Sequence, residues 1–321
     1  MSGDAWSVLA DQFVDRSYAS AIGQVRTYVL HHQLMHHLAE PPGAVLDVGG
    51  GAGHQSFPLA RAGYDVTVLD SSPAMLAKAR HRLASEAPEV RDRVRLVEAR
   101  GEDAAEATGG QQFGAVLCHG VLMYVDPPEP LVRSLCERLA PDGVLSLMAL
   151  NAKTLAIRPA LERRWTDALA AFGASGERGV LGVDTRADTV EGLSELLRSE
   201  QVEPLAWYGV WLFSDLVDLA AADTNEIRSA AAVELQASRR DPYRQLSRVF
   251  HLVARRPASG HQDDEASGKR LAGGTAWNSS EAGRSPAAAT LREKGPGVSG
   301  PRTIARAWPL NAGRRDSADG T

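Results

Sequence analysis

Between residues 44 and 150, short apolar runs alternate with longer segments in which apolar and polar positions mix at helical spacing. The runs are AVLDV (44–48), DVTVLD (65–70), VRLVEA (94–99), FGAVLCH (113–119) and GVLSLMAL (143–150). They show little polar alternation, the pattern of parallel strands buried on both faces. Helical spacing runs over about 54–62, 73–87 and 129–140, and APDGV after the last of these offers Gly143 as a helix stop and turn. Strand–helix alternation of this kind predicts an α/β doubly wound sheet. Two helical segments, 4–16 and 23–39, precede this region, and 153–172 and 187–199 read as helices after it. VEPLAWYGVWLFSDL then predicts a strand over 202–213 and a turn, 225–239 a helix, and RVFHLVARR (248–256) a last strand. The final two strands are sequence neighbours, which predicts an antiparallel pair at the sheet edge. Past Pro257 the periodicity stops in a Gly-, Ser-, Ala- and Arg-rich stretch, which predicts disorder. The expected division is one domain over 1–256, with a helical cap over 1–40 and a core over 41–150, then a tail over 257–321.

The first strand runs into LDVGGGAGH, where Gly49, Gly51 and Gly53 form G-x-G-x-G. Dinucleotide loops read G-x-G-x-x-G, and here His54 holds the sixth place. Asp47 lies two residues before the first glycine, and Asp70 closes the second strand, placed to accept hydrogen bonds from a ribose. A carboxylate at the loop suits an anionic pyrophosphate poorly. It suits a nucleoside ligand with an ammonium group and no phosphate, and S-adenosylmethionine is such a ligand. A tight turn in a nucleotide-free domain, or a nicotinamide enzyme, are the competing readings of the glycines.

Composition changes this picture little. Of 321 residues, 44% are apolar and 23% charged, as in globular proteins. No apolar run approaches the roughly 20 residues of a membrane helix. The first residues, MSGDAWSVLADQF, lack the charge and apolar core of a signal peptide. With only Cys118 and Cys136 there is no disulfide framework, so a cytoplasmic protein is expected. The net charge is −5; from Pro257 onward there are nine Lys/Arg against seven Asp/Glu, leaving −7 on residues 1–256. An acidic body argues against general nucleic-acid coating, though not against one small basic site.

The glycine loop with its two aspartates resembles the cofactor motif of class I S-adenosylmethionine-dependent methyltransferases, whose Rossmann-like sheet ends in an antiparallel strand. Further stretches resemble the tRNA 5-carboxymethoxyuridine methyltransferase family: YASAIGQVR (18–26), LCHGVLMYV (117–125), PDGVLSLMALNA (141–152), WYGVWLFSDL (207–216) and RRDPYRQLSRVFHLVARRP (239–257). The resemblance implies methyl esterification of a carboxylate on a tRNA wobble uridine. It implies that Arg26 pairs with the cofactor's carboxylate, that Gly49 and Gly50 line its amino-acid moiety, and that Asp70 holds its ribose. It also puts Gly101 and Glu102 beside the adenine and His119 near the sulfonium. Asp47, Gly51, Gly53 and Ser71 complete the expected cofactor set. The chain departs from the family at Met123 and Tyr124, where an acid and a tryptophan are expected, and in its acidic body.

A carboxylate acceptor needs no base, whereas a hydroxyl would be helped by one, with His119 and Tyr124 the candidates. Tyr18, Asn151, Tyr208, Arg244 and Arg248 are the candidates for holding the acceptor, which is tRNA or a small molecule, with Arg158, Arg163 and Arg164 as a rim. Trp207, Tyr208 and Trp211 offer base stacking or core packing. His31, His32, His36 and His37 share one expected helix, with 32 and 36 at a metal-ligand spacing; with no linked acid or cysteine, a solvated face and no metal are expected. Cys118 reads as core. A catalytically silent cofactor-binding protein is the remaining alternative.

Overall fold

The computed structural model describes residue 14 and residues 18–179 and 182–258. Apart from residue 14, the expected helix at 4–16 lies outside these residues, as does the expected disordered tail over 257–321 apart from residues 257 and 258. The central sheet orders its strands as Val94–Glu98, Asp65–Asp70, Ala44–Val48, Phe113–His119, Leu139–Leu150, Val249–Arg255 and Glu203–Val210. Strands β1 (Ala44–Val48), β2 (Asp65–Asp70), β3 (Val94–Glu98), β4 (Phe113–His119) and β5 (Leu139–Leu150) pair in parallel. A small hairpin, β6 (Gly176–Arg178) and β7 (Asp184–Arg186), stands apart. The last strands, β8 (Glu203–Val210) and β9 (Val249–Arg255), are antiparallel, with β9 inserted between β5 and β8. The expected edge pair is therefore present.

Local chemistry sets the helix boundaries. Ser20 caps α1 (Ala21–Met35) by accepting from the Gly23 N–H at 3.1 Å. Helix α2 (Ser56–Arg61) follows the glycine loop, and Ser72 with Pro73 starts α3 (Pro73–Ala84). Helix α4 (Glu129–Glu137) stops earlier than its pattern suggests. Early in β5, Asp142 takes the left-handed region (φ 61°), and Gly143, the expected stop and turn, does not. Gly143 is needed for space instead: a Cβ there would sit 2.7 Å from the Ala140 carbonyl oxygen. The single helix expected over 153–172 is broken into α5 (Ile157–Leu161) and α6 (Trp165–Ala171), with Arg163 at φ 60° between them. Thr189 caps α7 (Val190–Ser199) and Asp223 caps α8 (Thr224–Ala237).

Both faces of the sheet are covered. Val45, Val66, Val68, Ala115 and Leu117 pack with Leu34 of α1 and with Leu59 and Leu76. Leu46, Val116, Cys118, Leu145 and Leu252 pack with Leu131 and Leu135 of α4 and with Leu193 and Leu197 of α7. Period-two alternation sends neighbouring strand residues to opposite cores, which explains why the runs read as continuously apolar. The strand ends that carry the glycine loop, Asp70 and His119 are thereby fixed side by side.

Candidate functional site

The glycine loop leaves β1 with Gly49, Gly51 and Gly53 all at positive φ (70°, 55° and 76°). Only glycine adopts these angles without strain. The loop is also crowded: a Cβ on Gly49 would lie 2.2 Å from Val121 Cγ2, and one on Gly50 would lie 2.8 Å from Asp47 Oδ2. Asp47 is 2% exposed and accepts from Ser56 Oγ at 2.5 Å. Burial pushes its carboxyl up to about 6, and the Ser56 hydrogen bond acts in the opposite direction. Asp70 accepts from the Gly51 and Ser72 N–H groups at 2.9 and 2.8 Å. Each carboxylate oxygen keeps a lone pair for a ligand hydroxyl.

A cavity of about 680 Å³ opens over these strand ends. Gly49, Asp70, Ser71, Gly101, Glu102 and His119 line it, so the structure brings six of the expected cofactor residues to one surface. Gly101 has no room for a side chain, because a Cβ would meet Leu131 Cδ1 at 2.5 Å. Glu102 is paired with Arg100 at 3.0 Å. Asp47, Gly50, Gly51 and Gly53 shape the loop from beneath or beside it and are not on the cavity surface.

A second cavity, of about 370 Å³, adjoins the first. Tyr18, His119, Gly120 and Tyr124 line both. Ile22, Met123, Met148, Leu150, Trp211 and Val249 are among its apolar lining residues. Its charged groups are Arg26, Arg158, Arg248, Glu177 and Asp215. Arg248 pairs with Glu177, Arg158 pairs with Asp215, and Arg248 Nε lies 3.7 Å from Asp215. Arg26 has no carboxylate partner among the described residues. It is 6% exposed, its guanidinium lies 4.3 Å from the Tyr18 ring centre, and its Nε has no hydrogen-bond partner. Tyr18 in turn stacks on His54 at 4.1 Å. Arg26 thus reaches the second cavity rather than the nucleoside side of the first.

The two expected catalytic side chains differ. Burial pushes the Tyr124 phenol up to about 12, so it stays protonated and donates rather than acting as a base. Burial, with help from Arg26, lowers His119 to about 3, so its imidazole is neutral. His119 Nε2 lies 2.7 Å from Ser146 Oγ, and its Nδ1 is buried without a partner.

Of the residues expected to hold the acceptor, Tyr18 and Arg248 line the second cavity, as does the rim candidate Arg158. Three do not. Arg244 stacks over Trp207 at 4.2 Å and pairs with Asp241 at 2.7 Å. Tyr208 lies on β8 with its hydroxyl 2.7 Å from His37 Nε2. Asn151 is 5% exposed; it donates to the Ser247 carbonyl at 3.0 Å and caps the turn at Lys153. Each is consumed by a structural contact. The rim candidate Arg164 is likewise committed to Glu162 and Asp167 outside both cavities. Sequence reading missed Glu177 and Asp215, which carry no local pattern and matter only because folding sets them against arginines. The helix histidines take separate partners, His32 on the Tyr28 carbonyl and His37 on Tyr208. Among the described residues no group of three or more His, Cys, Asp or Glu is arranged to hold a metal ion.

Residues 46–145 match the model of a methyltransferase domain family. The chain is 28% identical over 254 residues to the tRNA 5-carboxymethoxyuridine methyltransferase of Escherichia coli (strain K12), covering 78% of this chain and 95% of that protein. It is 40% identical over 113 residues to the ubiquinone biosynthesis O-methyltransferase of Xanthomonas axonopodis pv. citri (strain 306), covering 35% and 45%. Magnesium protoporphyrin IX methyltransferase from Synechocystis PCC 6803, solved with bound S-adenosylhomocysteine, shares the fold at a TM-score of 0.54 and 15% identity, covering 79% and 97%. The residues present suit S-adenosylmethionine: a glycine cradle that any Cβ would fill, a carboxylate with spare lone pairs at the end of β2, and a buried guanidinium with no carboxylate partner among the described residues. From the site and these likenesses together, the chain is a class I S-adenosylmethionine-dependent methyltransferase that resembles the tRNA 5-carboxymethoxyuridine methyltransferases.

Proposed function

We propose that this methyltransferase esterifies a carboxylate, and that its acceptor is the carboxymethoxy group of a tRNA wobble uridine. The observation that carries this reading is the charge of the second cavity. Apart from Arg26, which is reserved for the cofactor, Arg158 and Arg248 line it and keep N–H donors beyond their ion pairs for an anionic group. The likeness to the Escherichia coli enzyme, over 95% of that protein, supports a carboxymethoxy group in that place.

Bound S-adenosylmethionine supplies an electrophilic methyl carbon. Asp70 would hold its ribose and Arg26 its carboxylate, a charge-assisted contact that satisfies the buried guanidinium. A carboxylate acceptor is ionised at neutral pH, so no side chain has to remove a proton. The work of the residues is alignment and exclusion of water, which is worth up to roughly 7–11 kcal/mol in well-oriented systems. Arg158 and Arg248 keep donors beyond their ion pairs, because a guanidinium offers five N–H groups. Those donors would fix the acceptor, while Met148, Leu150 and Trp211 keep the cavity dry. Two buried free thiols, Cys118 and Cys136, fit a reducing cytoplasm.

One observation favours a second reading. Most of the second cavity is apolar, and two of its arginines are already paired, which suits a small hydroxylated molecule as acceptor. Mass spectrometry of tRNA nucleosides from the host, with and without this gene, separates the two. Loss of the methyl ester with accumulation of 5-carboxymethoxyuridine is expected. Identical nucleosides would overturn the tRNA reading and send the search to metabolites.

A further inference from the structure

Two carboxylates hold the paired arginines of the second cavity, and they do so differently. Asp215 lies in the turn after β8, and its side chain is 7% exposed. It pairs with Arg158 and lies 3.7 Å from Arg248 Nε, so it serves both guanidiniums from within the body of the fold. Glu177 pairs with Arg248 alone, and its side chain is 22% exposed. It sits on β6, in the hairpin that stands apart from the central sheet. Its backbone is tied down there. The Glu177 carbonyl accepts from Thr185 Oγ1 at 2.9 Å, and a Cβ on Gly176 would lie 2.1 Å from the Thr185 carbonyl oxygen. Its side chain has room to turn. Besides the second cavity, Glu177 lines two further hollows of about 690 and 510 Å³, and Arg178 lines the smaller of these.

Charge decides what an anionic acceptor must do at this place. Arg158 and Arg248 carry two positive charges, and Asp215 and Glu177 carry two negative ones. The N–H groups suffice for a third carboxylate. The charge does not, because carboxylates crowded on one guanidinium repel. One resident carboxylate has to leave. Asp215 would break its contacts to both arginines, and a charge so enclosed has no water to receive it. Glu177 breaks one contact and has solvent to turn into. Methyl transfer then reverses the count. A lone pair of the acceptor oxygen forms the new C–O bond, the C–S bonding pair leaves on sulfur, and the anionic acid becomes a neutral ester. Arg248 loses its new partner at that step.

We propose that Glu177 is an exchangeable stand-in for the acceptor's carboxylate. It holds Arg248 before the acceptor arrives, yields it to the incoming acid, and takes it back once the ester has formed, which favours release of the product. Asp215 is the fixed partner that keeps both guanidiniums in place through the exchange. This inference rests on the esterification reading.

The test uses Glu177→Gln in the full chain, saturated with S-adenosylhomocysteine so that no transfer occurs. Calorimetry compares phenoxyacetate, which carries a carboxymethoxy group on a ring, with its methyl ester. Removing the competing charge should tighten phenoxyacetate about tenfold and leave the ester nearly unchanged, so the preference for acid over ester rises by that factor above wild type. Glu177→Ala should move the preference in the same direction. A preference that rises in neither variant overturns the exchange. An equal change for acid and ester also overturns it, since that is the mark of a merely structural ion pair. Anticodon stem-loop RNAs carrying 5-carboxymethoxyuridine or its methyl ester then test the underlying reading separately. A rise with phenoxyacetate but no binding of either RNA upholds the exchange and overturns the tRNA acceptor.

Discussion

Ser56 Oγ donates to Asp47 Oδ2 beneath the glycine loop, and that same oxygen would lie 2.8 Å from a Cβ on Gly50. Asp47 is thus packed into the loop rather than displayed on its surface. Its carboxyl is raised to about 6 against an ordinary 3.8, so the folded chain holds this proton more tightly than the unfolded chain. Stability is therefore gained as pH falls from about 6 towards 4, and lost as pH rises through the same window. The shift corresponds to a cost on the order of 3 kcal/mol at neutral pH. Asp47→Asn should raise the melting temperature at pH 7.5 and flatten its dependence between pH 4 and 6. Thermal scans across that range check this; an unchanged slope would remove Asp47 as its source.

The glycines of the loop should not be equally replaceable. Gly49→Ala places its Cβ against Val121, a β-branched side chain with little freedom to turn aside. Gly51→Ala meets only the terminal methyl of Met75, at 2.7 Å, which can swing away. Both pay about 1–2 kcal/mol for the positive φ, and Gly49→Ala pays for the clash as well. Chemical denaturation should rank Gly49→Ala as clearly the more destabilising.

Asp70→Ala should weaken S-adenosylmethionine binding by about 1–3 kcal/mol. Two effects combine, because the carboxylate both offers lone pairs to the ribose and holds the Gly51 and Ser72 N–H groups. Isothermal calorimetry reads the sum, and unchanged affinity would take Asp70 out of the site.

Arg244→Ala and Arg248→Ala should separate stability from turnover. Arg244 lines neither cavity, so its loss should lower the melting temperature slightly through Trp207 and leave kcat/KM unchanged. Arg248 lines the second cavity, so its loss should reduce kcat/KM for the acceptor and leave cofactor affinity intact. Steady-state kinetics beside thermal scans distinguish them.

The sheet was legible because its signal is local: continuous apolar runs, and glycines that no other residue can replace. Asp70 was legible for the same reason, since it closes a strand that the pattern defines, whereas Gly101 and His119 were expected only from the family resemblance, and the fold brings all three to one cavity. The acceptor side was harder. Arg244 and Arg248 are four residues apart and chemically identical, and only the turn before β9 sends one to Asp241 and the other to Glu177. Gly143 looked like the turn residue because glycine favours positive φ, yet Asp142 adopts it and Gly143 answers a crowding that only the folded strand creates. Ser146 offered a faint signal, a lone hydroxyl in an apolar strand. Its contact with His251 depends on β9 lying next to β5, a pairing set by chain segments about a hundred residues apart.

Tyr18, His119, Gly120 and Tyr124 line both cavities, which therefore adjoin along a shared edge. Whatever fills one chamber becomes part of the floor of the other. Each ligand therefore completes the other's enclosure and removes water from its neighbour's contact face. The consequence is reciprocal cooperativity: the affinity for cofactor should rise in the presence of acceptor by the same factor as the affinity for acceptor rises in the presence of cofactor.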